Sequence, residues 1–167
     1  MRFTLPAASA VLSAALLAAC APQPASPPPP PPAEQEVPQL PSSFLERLSA
    51  DGLFAFGRAS IDDFSPAGRQ ALDDLATRLS ARQLEIVHVI GHSDRIGNDR
   101  ANLRLSEQRA DAVREYLIER GVPADAITAV GRGSVEPVVE CDSLRGAALQ
   151  DCLAPNRRVE VRVQFAD

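Results

Sequence analysis

Six consecutive prolines, Pro27 to Pro32, exclude helix and sheet from one part of the chain. Proline has no backbone N–H to donate, so such a run adopts polyproline II at about 3.1 Å per residue. Ten of the 15 prolines of this 167-residue chain fall between Pro22 and Pro41. This segment is therefore predicted to be a stiff spacer of at most about 60 Å. A core must form in residues 42–167, a length that suits one domain.

The chain before the spacer has the pattern of an export signal. Arg2 precedes an apolar run, residues 7–19, that is too short to span a bilayer. Its end, Leu17-Ala18-Ala19-Cys20, resembles a bacterial lipobox, in which the cysteine thiol takes a diacylglycerol. We predict a lipoprotein signal peptide at residues 1–19 and a lipidated Cys20 that begins the linker of residues 20–41. The alternative is a plain signal peptide with an incidental cysteine. Ala21, in place of an aspartate, favours the outer membrane.

The charge composition disfavours several function classes. The net charge is −5 and the pI about 5.1, whereas a nucleic-acid binder needs a basic surface to displace counterions. All 17 basic residues are arginine, so chemistry that depends on a lysine is excluded within this sequence.

Residues 42–167 alternate between strand and helix patterns. A serine pair predicts the cap of a short helix that ends near Ala50, and Ser65-Pro66 predicts the start of a second helix. The predicted strands are Leu53–Phe56, Leu84–Ile90 (covered on both faces), Ile127–Val130 and a final alternating stretch, residues 158–165; the longest predicted helix is Asn98–Arg120. This alternation predicts an α+β fold, an α/β sandwich with helices on one side of a sheet.

Asp94 and Arg109 form the most informative pair. Asp94 lies in the turn after the buried strand, and Arg109 lies on the long helix, on the same face as Asn102 and Ser106. A partly desolvated arginine favours a planar anion. The two residues could therefore form a structural ion pair, or they could clamp a zwitterion, with Asp94 on its ammonium and Arg109 on its carboxylate.

Motifs spread over residues 91–117, 131–138 and 156–163 closely resemble the OmpA-like peptidoglycan-binding domain, and the resemblance covers roughly residues 52–165. It implies a β-α-β-α-β-β fold with a mixed sheet. It also implies noncovalent binding of the diaminopimelate side chain of peptidoglycan stem peptides, with Asp94 on the ammonium and Arg109 on the carboxylate. The further ligand-site residues that it implies are Asn102, Leu105, Phe56, Gly57 and Arg157.

The first motif departs from the family pattern. Many members have Phe-Asp-Phe-Asp where this chain has Phe54-Ala55-Phe56-Gly57. If this loop contributes through its backbone the change is harmless, and if it contributes through a side chain the affinity falls.

Two cysteines remain after Cys20, which is an even number in an exported domain. Cys141 and Cys152 stand in a segment that resembles the disulfide loop of OmpA-like domains, so the resemblance implies a disulfide between them. A metal pair is the rival interpretation, but it needs more ligands at short spacing. His88 and His92 lie on a strand and at its end, where they do not converge, and His88 is predicted to be a core residue.

Binding rather than catalysis is predicted. His92, Ser93 and Asp94 are neighbours on an extended chain, so their side chains point in opposite directions and cannot form a triad. No cofactor and no metal is implied. The sequence predicts an outer-membrane lipoprotein with its domain in the periplasm, which tethers the membrane to the cell wall. The alternative is a protein-interaction module of an envelope complex in which wall binding is secondary.

Overall fold

A computed structural model describes residues 41–55 and 57–166 of the chain. The predicted signal peptide, Cys20 and all but the last residue of the spacer lie outside these residues. The elements are β1 (Ser43–Ser49), α1 (Ala50–Leu53), α2 (Pro66–Ser80), β2 (Leu84–Gly91), α3 (Asp99–Glu119), β3 (Ile127–Gly131), α4 (Gly146–Cys152) and β4 (Arg158–Phe165), with 3₁₀ turns at Ile61–Asp63 and Ala154–Asn156.

The four strands form one mixed sheet in the order β1-β4-β2-β3. β4 runs antiparallel to both of its neighbours, β1 and β2, while β2 and β3 are parallel and are connected through α3. Apart from the short helices α1 and α4, the chain order is β-α-β-α-β-β. The predicted α+β fold with a mixed sheet is confirmed.

One face of the sheet packs against α2 and α3. Alternate residues of β4, Val159 to Phe165, point into this core beside Val87 and Val89 of β2. The helices contribute buried residues at helical spacing: Leu72, Leu75, Ala76 and Leu79 from α2, and Ala110, Val113, Tyr116 and Leu117 from α3. Burying these side chains is the main favourable term in the folding of the domain.

The two long helices begin at, or one residue after, the predicted position. Ser65 caps α2 by accepting a hydrogen bond from the N–H of Gly68 at 2.8 Å, and Pro66 is the first helical residue. Asn98 caps α3 in the same way, through the N–H of Ala101 at 2.9 Å. Within the part of the chain that the structure describes, no helix is both long enough and apolar enough to cross a membrane.

The beginning of the domain differs from the prediction. The segment expected to be a helix up to Ala50 is strand β1, which pairs with β4 along its whole length. Phe44 and Leu48 are four residues apart, which fits a helix face, but the same two residues also share the core-facing side of a strand. The local spacing thus fits a helix and a strand equally well, and the pairing with β4 makes the segment a strand.

The predicted strand Leu53–Phe56 is also wrong. Leu53 is the last residue of α1, and Phe54 forms a single bridge with Phe64. Both phenylalanines are buried, with their ring centroids 4.8 Å apart. The apolar run thus marks core contacts and not a sheet strand.

β2 is covered by helices on one face only. His88 points to the other face, where it is exposed and its Nδ1 lies 2.8 Å from Oγ1 of Thr128. The prediction that the strand is covered on both faces, with His88 in the core, is therefore wrong. The predicted strand itself is confirmed.

Two glycines bring α3 close to the ends of β2 and β3. A Cβ atom on Gly91 would overlap the backbone of Ser106, and one on Gly131 would lie 2.5 Å from the backbone nitrogen of Glu107. The hydroxyl of Ser106 also accepts a hydrogen bond from the N–H of Gly133 at 2.8 Å. The first half of α3 is thereby fixed against the carboxyl ends of two parallel strands.

Asn102 holds the loop between β2 and α3. Its side-chain amide donates to the carbonyl oxygens of Asp94 (3.0 Å) and Ile96 (3.1 Å). The carboxylate of Asp94 accepts from the N–H of Ile96 at 2.8 Å. Asp94 is thus held through both its backbone and its side chain.

On the other face of the sheet, the carboxylate of Glu160 is buried among arginines. It accepts hydrogen bonds from Arg158 (2.9 Å), Arg162 (2.9 Å) and Arg47 (3.4 Å). Burial, the largest single influence, raises the pKa of Glu160. The hydrogen bonds from Arg162 and Arg158, with the charge of Arg158 and the bond from Arg47, outweigh burial and lower it from 4.5 to about 2.

Stability is expected to fall as the pH drops from 4.5 to about 2, because protons then bind the unfolded chain before they bind folded Glu160. Glu160→Gln should flatten the dependence of the free energy of unfolding on pH within this window. Urea unfolding at several pH values measures this. Glu85→Gln, which removes an exposed carboxylate from β2, is the matched control. An unchanged slope in Glu160→Gln would contradict the expectation.

Asn102→Ala should lower the free energy of unfolding by about 1–3 kcal/mol, because it leaves the carbonyls of Asp94 and Ile96 without their donor. The loss should appear even though alanine is the better helix former. Leu103→Ala, at a neighbouring side chain that is 47% exposed, should change stability by no more than about 0.5 kcal/mol. Equal effects of the two substitutions in urea unfolding would contradict this role of Asn102.

Candidate functional site

Arg109 is a buried cation with an unused donor. Its side chain leaves α3 beside the core, and the residue is 3% exposed. Nε donates to the carbonyl of Arg58 at 3.1 Å, and the guanidinium carbon lies 5.4 Å from the ring centroid of Phe54. Nη1 is buried and has no hydrogen-bond partner within the described residues. An unpaired buried donor costs free energy, so this atom favours an added acceptor.

Burial and the neighbouring charges shift the pKa of Arg109. Burial lowers the pKa of its guanidinium, and the negative charge of Asp51 is the foremost influence that raises it. The charge of Arg157 lowers this pKa further, while that of Asp94 raises it. An arginine remains protonated in such an environment, so the site holds a fixed positive charge.

The direct ion partner of Asp94 is Arg157, not Arg109. Nη1 of Arg157 donates to Oδ2 of Asp94 at 2.7 Å. The Asp94–Arg109 ion pair considered from the sequence is not among the salt bridges of the described residues; the two side chains belong to one site and influence each other only through their charges. Helical spacing correctly predicted that Arg109 shares a face of α3 with Asn102 and Ser106. It could not show that the ion partner of Asp94 is a different arginine.

Asp51 is the second ion partner of Arg157, and the sequence did not predict it as a site residue. Its carboxylate accepts two hydrogen bonds from Nε of Arg157, at 3.1 and 3.0 Å, and one from Nη2 at 2.7 Å. The hydrogen bonds with Asp51 are the largest influence that raises the pKa of Arg157; burial opposes them and those with Asp94 add to them. We call Asp51, Asp94 and Arg157 the Arg157 cluster. No local motif marks Asp51, because its partner lies 106 residues further along the chain.

Two of the other predicted ligand-site residues line a groove beside Arg109. Gly57 and Leu105 contribute to a groove of about 610 Å³, together with Arg58, whose carbonyl accepts from Arg109. Gly57 has a positive φ of 69°, which favours glycine. Phe56 lies outside the described residues. Asn102 lies under the loop and orients Asp94 through the backbone.

Cys141 and Cys152 form a disulfide, the pair that the resemblance indicated, with their Cα atoms 6.2 Å apart. α4 ends at Cys152, and the carbonyl of Gln150 on α4 accepts from Nη1 of Arg157 at 3.1 Å. The disulfide loop therefore contacts the Arg157 cluster directly.

The described residues contain no group of three or more histidine, cysteine, aspartate or glutamate side chains that could hold a metal ion. His92 is buried, and both of its ring nitrogens are without a partner among these residues. Burial is the main cause that lowers its pKa, followed by the charge of Arg158. His92 is thus neutral in the folded domain near pH 7.

Comparisons with proteins of known sequence agree on one family. Residues 53–149 match the model of the OmpA family. Outer membrane protein A of Yersinia pseudotuberculosis is 48% identical over 122 residues, which are 70% of this chain and 34% of that protein. That of Shimwellia blattae is also 48% identical over 122 residues, which are 49% of that protein. The chain thus spans between a third and a half of the length of these relatives.

Solved structures share the fold. The cell wall anchor of the T6SS from Pseudomonas aeruginosa is 30% identical, with a TM-score of 0.61 over 74% of this chain and 82% of that one. The peptidoglycan-associated lipoprotein from Burkholderia pseudomallei is 28% identical, with a TM-score of 0.54 over 67% of this chain and 87% of that one. The periplasmic domain of Helicobacter pylori MotB, at 21% identity and a TM-score of 0.59 over 77% and 80% of the two chains, shows the shared fold alone. Because the family model spans more than half of the chain, the chain belongs to the OmpA family.

Proposed function

We propose that the domain binds the diaminopimelate side chain of peptidoglycan stem peptides without covalent chemistry. The observation that carries this proposal is the buried, unpartnered Nη1 of Arg109 next to the Arg157 cluster. Two relatives at 28% and 30% identity support it, since one is named as a peptidoglycan-associated lipoprotein and the other as a cell wall anchor.

The free end of diaminopimelate is a zwitterion, with an ammonium and a carboxylate on the same carbon. Arg109 takes the carboxylate, which gives Nη1 its missing acceptor. Asp94 takes the ammonium: each of its oxygens accepts one hydrogen bond, from Ile96 or Arg157, and a carboxylate oxygen has a second lone pair. The ligand therefore adds one charge of each sign to residues that are already held in place.

This arrangement selects against lysine-type stem peptides. Lysine presents an ammonium without a neighbouring carboxylate, so Arg109 would remain unpaired and buried. A site built to pair with a group rejects a ligand that lacks it, because the buried partner is then left unsatisfied.

Cys20 and the proline-rich spacer then make the domain a tether. We propose that acyl chains on Cys20 hold the outer membrane, that residues 20–41 span part of the periplasm, and that the domain holds the wall. More than one acyl chain is needed for a stable anchor. The grip on the wall is reversible, and many copies act together on one polymer.

Asp94→Ala and Arg109→Ala should each weaken binding to diaminopimelate-type sacculi by at least about 30-fold. Each removes one charge of the clamp and leaves the opposite charge of the ligand unpaired, a loss of about 2–5 kcal/mol. The measurement is a pull-down of an unlipidated protein, residues 21–167, with and without competing free meso-diaminopimelate. Lysine-type sacculi should retain little protein.

Arg104→Ala and Asp125→Ala are the matched controls, because both side chains are exposed and lie outside the site. Circular dichroism establishes that all four variants are folded. Wild-type protein that does not bind, or controls that lose as much binding as the site variants, would overturn the proposed clamp.

Cys20→Ser should abolish lipid attachment and move the protein from the outer-membrane fraction to the soluble periplasmic fraction. Cells fed radiolabelled palmitate measure the attachment, and fractionation measures the location. Ser13→Ala, a conservative change inside the apolar run, should behave as wild type. Equal labelling of Cys20→Ser and the wild type would show that Cys20 is not the site of acylation.

A further inference from the structure

Arg157 is shared by two carboxylates that lie far apart in the sequence, on α1 and in the loop after β2. Asp51 follows β1 and takes Nε and Nη2, while Asp94 follows β2 and takes Nη1. The side chain of Arg157 is 21% exposed, that of Asp94 10% and that of Asp51 39%. The cluster is thus partly removed from water, where an uncompensated charge matters more than it does on an open surface.

The charges of the site balance only when Asp51 is included. Asp51 and Asp94 contribute two negative charges, and Arg109 and Arg157 contribute two positive charges. Without Asp51, the single negative charge of Asp94 would be matched by Arg157, and Arg109 would leave the site with a net charge of +1. Such a site would attract a carboxylate but would offer little to an ammonium.

We propose that Asp51 is a positioning residue that determines ligand specificity: it neutralises Arg157, so that the negative charge of Asp94 remains available for an ammonium group. The inference rests on the proposed function and deepens it, since it names the residue that makes the site select a zwitterion over a simple carboxylate.

The geometry of Arg157 supports this division of roles. Asp51 makes three of the contacts with the guanidinium, including the bidentate approach of Nε and Nη2, whereas Asp94 makes one. Asp51 is also the foremost negative charge acting on the pKa of Arg109. Removal of Asp51 therefore makes the whole site more positive, both around Arg109, where the carboxylate of the ligand is proposed to bind, and around Asp94.

The test compares two ligands by isothermal titration calorimetry on the unlipidated chain. One is the tripeptide L-alanyl-γ-D-glutamyl-meso-diaminopimelate. The other is its deamino analogue, in which the free ammonium at the end of the diaminopimelate is replaced by hydrogen. The ratio of the two affinities reports recognition of the ammonium alone, and a general loss of structure would not change it selectively.

Asp51→Asn should weaken binding of the diaminopimelate tripeptide by about tenfold or more. It should leave binding of the deamino analogue unchanged or tighter, so that the affinity ratio falls at least about tenfold. Asp51→Glu, which keeps the charge, should retain most of the ratio. Asp125→Asn, at an exposed carboxylate in the turn between α3 and β3, should leave both affinities unchanged.

The double variant Asp51→Asn with Arg157→Gln removes the unneutralised cation as well as its partner. It should recover preference for the ammonium, because Asp94 then faces no competing arginine within its own cluster. This recovery separates a charge effect from a merely structural one, even where the single variant is less stable.

Equal weakening of both ligands by Asp51→Asn, with no recovery in the double variant, would overturn the assignment and leave Asp51 as a structural residue. The assignment would also be overturned if the wild type binds the tripeptide and Asp51→Asn keeps the wild-type ratio of the two affinities. The proposed function would then remain intact. Wild-type protein that binds neither ligand would overturn the proposed function and this inference together.

Discussion

The guanidinium of Arg157 joins parts of the chain that are far apart in sequence. It contacts Asp51 after β1, Asp94 after β2 and the carbonyl of Gln150 on α4. The residue itself directly precedes β4. Arginine suits this position because its planar group presents five donors in fixed directions. Each of these contacts also limits where the loop with Asp94 can lie. The candidate site therefore depends on an ion cluster that links α1, the loop after β2 and the residue that precedes β4.

The second constraint on the site is the close approach of α3 to β2 and β3. Gly91 and Gly131 allow the helix backbone to contact the strands directly, and Ser106 adds a hydrogen bond to the loop after β3. Arg109, one turn further along α3, is thereby held below the surface with Nη1 unpaired. A less tightly packed helix would allow the guanidinium to reach water, and the basis of the proposed selectivity, a buried and unpaired donor, would be lost.

The sequence predicted correctly those helices and strands that a single local pattern, such as a helix start or a regular alternation, is enough to define. The start of α2 at Ser65-Pro66 and the alternation along β4 correspond to the observed boundaries, and the predicted helix Asn98–Arg120 is α3 with its two capping residues included. The segment before Ala50 was predicted wrongly because the spacing of Phe44 and Leu48 fits a helix and a strand equally well, and its pairing with β4 is a long-range property. Motif and spacing predicted Asp94 and Arg109 as site residues, and the structure brings the two charges close enough to influence each other. Asp51 was missed, since the reason for its position lies in a contact with Arg157 that no local pattern records.

The antiparallel pairing of β1 with β4 has a mechanical consequence for a tethered protein. The spacer enters the domain at the Ser43 end of β1, whereas Arg157 and Asp51 lie at the opposite end, where Ser49 pairs with Arg158. In the proposed tether, a pulling force between membrane and wall would therefore run along these strands and load all seven residue pairs in shear at once. Strands loaded in this direction share the force among many hydrogen bonds, whereas strands pulled apart from one end break them one after another.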